Sequence, residues 1–201
     1  MLRAEAPTTV TWSPIVSVRG LRLSGSGGEL SADYAGGDSG RVDLTVREVS
    51  PGLWQDFLNT PGPRWTLHAG RLEGNWARGP LAFSLGGEGT IELEDKRAAH
   101  VALAAKGDGG GVELSRLEVA VGEAKIVTVT GKLPVQASVG SQWAVKFEKD
   151  ADLRLDVVTE RDSFFWAKVG ELSGLDLVDP QIRVNILGTW RAPRGEATVE
   201  I

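Results

Sequence analysis

Cysteine is absent from the 201 residues, which excludes disulfides, thiolate nucleophiles and Cys-ligated zinc together. Histidine is scarce: His68 and His100 are the only two, each in an apolar strand-like run without a second ligand at helical or hairpin spacing, so no metal site is expected. Long apolar runs are missing as well. The apolar runs are short pieces such as Ile126-Val127 and Ala102-Leu103-Ala104-Ala105, far below the ~20 residues that span a bilayer. Met1-Leu2-Arg3-Ala4-Glu5-Ala6-Pro7 holds no apolar signal-peptide core, and the sequence is expected to be a section of a longer chain. Positive charge is not in excess either. A net charge of -5 leaves no large basic field to displace counterions from a phosphate backbone, so nucleic acid is not expected as a partner.

Catalytic patterns fail one by one. Ser84 and Ser163 lack a Gly-x-Ser-x-Gly elbow. Lys106-Gly107-Asp108-Gly109-Gly110-Gly111 has no Gly-Lys-Ser/Thr and leads into a strand, which is not the architecture of a phosphate loop. Glu92, Glu94 and Asp95 are acids of the kind a glycosidase uses, but in an alternating strand Glu92 and Glu94 share the wet face opposite Ile91 and Leu93. No catalytic residue, no cofactor and no enzymatic activity are expected.

What is present is period-two alternation. It runs through Val42, Leu44 and Val46; Leu81, Phe83 and Leu85; Val112 and Leu114; Leu117, Val119 and Val121; Trp143, Val145 and Phe147; Leu153, Leu155 and Val157; and Ile182, Val184 and Ile186. Apolar residues alternating with polar ones define sheets with one dry and one wet face, which favours antiparallel pairing. Four glycine clusters read as hairpin turns: Ser24 to Gly28, Gly36 to Gly40, Gly86 to Gly89 and Gly107 to Gly111. Two stretches read as short helices. One opens at Ser50-Pro51 and carries Leu53 and Phe57; the other runs from about Asp162 to Leu172, with Phe165, Val169 and Leu172 on one face.

The chain also echoes itself. Val42 to Leu58 aligns without gaps on Leu153 to Val169, at a spacing of 111 residues, and each copy continues to a Gly-x-Trp exit, Gly74-Asn75-Trp76 and Gly188-Thr189-Trp190. One elongated unit is expected, or two repeats of about 15–110 and 111–201. Seven tryptophans accompany a single tyrosine. They are read as plugs at core ends and as cavity lining, the alternative being sugar-stacking platforms of a carbohydrate-binding β-sandwich. The stripe of Val, Leu, Ile and Phe could close against a second sheet or line a dry channel, and periodicity does not choose.

Leu172 to Ile201 resembles the AsmA-like translocation and assembly module (TamB) family in cadence: a strand ending in Gly188-Thr189, a turn Pro193-Arg194-Gly195, and a further strand from Ala197 to Ile201. The phrases GLRLSGSGGELSADYAG and VTVTGKLPV resemble the same family. The resemblance implies an all-β, elongated and curved antiparallel sheet, a β-taco or β-groove with a hydrophobic interior. It also implies a periplasmic section of a protein anchored in the inner membrane of a Gram-negative-type cell. Phospholipid acyl chains, and an outer-membrane assembly partner of the BamA-like barrel class, are the partners it implies. The family has no catalytic set to carry over. Groove-lining residues are expected to be Leu44, Val46, Phe83, Leu85, Val119, Phe147, Leu155, Val157, Val184 and Ile186. The other function weighed is a scaffold that holds client strands on its exposed edges.

Overall fold

The computed structural model describes residues 2–50, 64–93, 96–139, 143–161, 166, 170–171, 174 and 180–200. Strand takes up 75% of these and helix 2%. Fifteen strands follow one another: β1 (Leu2–Ala4), β2 (Thr9–Thr11), β3 (Ser17–Gly25), β4 (Gly28–Ala35), β5 (Ser39–Val49), β6 (Trp65–Ala77), β7 (Ala82–Glu92) and β8 (Ala98–Asp108) in the first half. Then come β9 (Gly111–Val121), β10 (Ala124–Leu133), β11 (Val135–Val139), β12 (Trp143–Phe147), β13 (Asp152–Thr159), β14 (Gln181–Thr189) and β15 (Pro193–Glu200).

Thirteen of these strands form one open antiparallel sheet that follows chain order from β3 to β10 and on to β13, β14 and β15. At the starting edge β1 and β2 share β3, one on Leu23–Gly25 and the other on Ser17–Arg19. β11 and β12 leave the sheet as a separate hairpin. Pro134 explains the departure: with no N–H it cannot extend the β10 ladder, and it is fully buried where the chain turns away. Its carbonyl accepts the Glu148 N–H at 2.8 Å, which closes the hairpin's base and returns the chain to β13 beside β10.

Tight turns come from the glycine clusters. Ser26-Gly27, Gly109-Gly110 and Gly122-Glu123 are two-residue hairpin loops, and the Asp108 carboxylate accepts the Gly110 N–H at 2.6 Å. Gly86 to Gly89 corrects the turn reading, because it lies in the middle of β7. None of its glycines has positive φ. Their use is close approach: a Cβ on Gly89 would lie 2.5 Å from the Thr66 carbonyl oxygen. The turn expected at Pro193-Arg194-Gly195 is also displaced. These residues open β15, and the chain reverses through Trp190-Arg191-Ala192, where the Ala192 N–H reaches the Thr189 carbonyl at 3.1 Å. Proline is tolerated at Pro193 because it begins an edge strand.

The two short helices are not borne out among the described residues. The one after Ser50 falls on 51–63, outside them. Of the stretch from Asp162 to Leu172 only Trp166, Gly170 and Glu171 are described as helical.

Among the described residues one small cluster of buried side chains is sealed. Trp76, Leu81 and Val139 are buried together with Tyr34, Val42, Phe83 and Ala137 against them, where the β11–β12 hairpin folds onto the β6–β7 turn. The Leu81 N–H donates to the Ala137 carbonyl at 2.7 Å, and Pro80 bridges Ser138. A compact monomer of 21.4 kDa would expose ~9,100 Å². This chain exposes 13420 Å², about half as much again, and among the described strands only β11 and β12 lie off the main sheet.

Candidate functional site

Cross-strand register puts the apolar residues of successive strands on one face. Leu30, Ala32 and Tyr34 on β4 stand opposite Val46, Leu44 and Val42 on β5. Leu44 pairs with Leu72 of β6, Leu72 with Leu85 of β7, and Leu85 with Ala105 of β8. Val101 and Leu103 face Val119 and Leu117 of β9, which in turn face Val127 and Val129 of β10. Val129 meets Val157 of β13, Val157 meets Val184 of β14, and Val184 meets Ala197 of β15. The apolar face is therefore continuous from β4 to β15. Its side chains are mostly half-buried.

Near the centre this face has a depression of about 510 Å³, lined almost wholly by apolar side chains and glycine backbone. Its floor is the cross-strand pair Gly70 and Gly87, which lack side chains where their neighbours carry Val46, Leu67, Leu72 and Leu85. Glycine is required at position 70 because Val46 leans over its backbone: a Cβ there would come within 2.7 Å of Val46 Cγ2. Further along, two glycines serve the sealed end. Gly40 lies opposite Trp76 and Gly107 opposite Phe83, so each aromatic ring lies across bare backbone.

Leu44, Val46 and Leu85 line the depression. Phe83 belongs to the sealed end. Val119, Leu155, Val157, Val184 and Ile186 are half-buried on the same face further along the sheet. Phe147 stands apart on β12, 50% exposed, its ring centroid 5.5 Å from that of Trp190. Sequence reasoning missed Trp65, Leu67, Gly70 and Val101 as lining residues. His100-Val101-Ala102-Leu103 carries a readable alternation; the role of Gly70 depends on which strand lies beside it, and the sequence holds no such signal.

The opposite face is polar and tied by lateral pairs. His68 bridges three strands, with Nδ1 3.1 Å from Glu48 Oε2 and Nε2 3.2 Å from Thr90 Oγ1. Arg71 pairs with Glu73 beside it and lies 3.8 Å from Asp43. Glu118 accepts from Arg116 and from Lys125, each at 3.2 Å, and these hydrogen bonds, that from Arg116 foremost, hold its carboxyl below the usual carboxylate range. A depressed folded-state pKa contributes stability above the unfolded value and loses it as pH falls through the folded one. Carbon-detected NMR titration is therefore expected to show Glu118 ionised after free glutamates have protonated, and Arg116→Ala to move its midpoint up. An ordinary midpoint in the wild type would contradict the pairing. Among the described residues no group of three His, Asp or Glu is placed to hold a metal ion.

Fold and site define a class: a large antiparallel sheet that is not closed and that, among the described residues, is polar on one face and apolar on the other. Compared with protein-family models, with curated proteins and with solved structures, the chain matches none.

Proposed function

We propose that the apolar face is a hydrophobic groove for phospholipid acyl chains, and that the chain is a section of an envelope protein of the TamB/AsmA-like kind. Such a section serves lipid transfer between the inner and outer membranes, or outer-membrane protein assembly with a BamA-like barrel. The observation that carries this reading is the continuous apolar face from Leu30 to Ala197 that no second sheet covers among the described residues. A soluble protein rarely leaves that much contiguous carbon to water, and a large exposed apolar patch marks a binding surface. Acyl chains suit it because each buried methylene gains about 0.8 kcal/mol without any directed polar contact. Register shifts at five places among the described residues support a curled sheet, since each bulge bends its strand. The hairpin over Trp76 and Leu81 stops one end of the face.

The test is the lipid that accompanies the protein. Material purified from a cell envelope is expected to carry phospholipid detectable by mass spectrometry, and Leu85→Asp or Val157→Asp to lose most of it. Thr45→Asp, on the polar face, should keep it, with circular dichroism confirming strand content in all three. Lipid-free wild type, or equal loading in all variants, would sink the reading.

A further inference from the structure

The two ends of the apolar depression differ. Toward one end, the cross-strand row Leu44, Leu72 and Leu85 is followed by Val42, Gly74 and Phe83. There Val42 and Phe83 pack against the sealed cluster around Trp76. At the other end the last cross-strand pair is Trp65 and Ile91, and Ile91 is exposed. The run from Leu72 to Trp65 along β6 is ~20 Å at about 3.3 Å per residue. An acyl chain in one leaflet of a bilayer core spans ~15 Å, so one chain fits lengthwise. A polar headgroup has no place against Trp76 and Phe83, which puts the chain's attached end at Trp65 and Ile91.

A second hollow, of about 500 Å³, adjoins the depression at that end, and Trp65, Thr66 and Thr90 line both. Its other lining residues are Ser50, Arg64, Glu92, Lys96 and Ala98. Arg64 lies 3.7 Å from Glu92, so cation and carboxylate offset each other and the charge of Lys96 is left over among these residues. One positive charge is the complement of one phosphodiester, and a lysine ammonium binds phosphate as a point charge. Lys96 is exposed and makes no ion pair among the described residues. Its N–H donates to the Leu93 carbonyl at 2.9 Å, and the Leu93 N–H to the Arg97 carbonyl at 2.8 Å, which fixes the turn between β7 and β8. Its φ is +67, a region open to glycine and costly for lysine. The chain has glycine at eight positive-φ positions among the described residues, yet keeps lysine here. A long cationic side chain held on strained backbone points to a use for that side chain.

We infer that the polar hollow is a headgroup site, in which Lys96 takes the phosphodiester of a phospholipid whose acyl chain lies in the depression with its terminal methyl toward Trp76. The inference rests on the acyl-chain reading of the apolar face and adds to it a headgroup chemistry and a direction.

The test compares phosphatidylglycerol with diacylglycerol of the same acyl chains, each offered to the 201-residue chain in mixed micelles. Phosphatidylglycerol is expected to bind about fivefold tighter, the scale of one exposed charge pair. Lys96→Gly should abolish that preference and Lys96→Arg should keep it; glycine adopts φ +67 freely, so the fold is not at stake. A diazirine at the acyl terminus should label Leu44, Leu72 or Leu85, and one beside the ester should label Trp65 or Ile91. Failure of both lipids to bind overturns this inference together with the acyl-chain reading. Equal affinity for the two lipids, a preference that survives in Lys96→Gly, or reversed labelling overturns the inference alone, since lipid binding then stands. Competition by glycerol phosphate at the lipid's own concentration would assign the hollow to a free phosphate and overturn it as well.

Discussion

Replacing Trp76 with alanine is expected to cost about 3–5 kcal/mol of stability, and Trp190→Ala less than about 1. The two tryptophans occupy the same place in the internal echo, after Gly74-Asn75 and Gly188-Thr189, yet their surroundings differ. Trp76 is 3% exposed; its indole N–H donates to the Gly37 carbonyl at 2.9 Å, its ring lies 6.0 Å from Tyr34, and Leu81 and Val139 close over it. Truncation leaves a cavity where the β11–β12 hairpin packs onto the sheet, and strands a carbonyl beside it. Trp190 is 51% exposed at the β14–β15 turn. At roughly 2–4 °C per kcal/mol for a chain of this size, thermal unfolding should fall by about 10 °C for Trp76→Ala and by a few degrees at most for Trp190→Ala. Equal losses would mean that the hairpin does not hold that end of the face.

Gly131→Ala is expected to cost about 2–4 kcal/mol, against about 1 for Gly122→Ala. Gly131 adopts φ +150 at the register shift where β10 turns from β9 toward β13, and a Cβ there would fall on the Arg154 carbonyl. Backbone would have to move on both strands. Gly122, at φ +64 in the β9–β10 turn, has open space around the added atom and bears only the left-handed penalty. Urea denaturation of the two variants side by side checks this, and a Gly131→Ala loss no larger than that of Gly122→Ala would contradict the close approach.

Much of the sheet could be read from the residues because period two is a local signal. Val42, Leu44 and Val46, or Ile182, Val184 and Ile186, declare their face without reference to a partner strand. The echo went further than its letters: Val42 stands opposite Gly74 as Leu153 stands opposite Gly188, so both hairpins share a register. What escaped was decided between strands. A glycine cluster looks the same in a turn and in a strand, and only the nearness of Thr66 and Gly70 shows that Gly86 to Gly89 is the latter. Trp143, Val145 and Phe147 alternate like sheet residues, but Pro134 ends the β10 ladder and sends them to the separate hairpin. The depression is likewise a product of register, since Gly70 and Gly87 leave a hollow only by standing opposite each other.

The most direct measurement asks which face meets lipid. A photoreactive benzophenone residue is introduced at Leu85 or Val157, and separately at Thr45 or Asp156, and illuminated in a cell envelope before mass spectrometry. A face that takes acyl chains predicts phospholipid adducts from Leu85 and Val157 and none above background from Thr45 and Asp156. Adducts from both faces alike, or from neither, would contradict it.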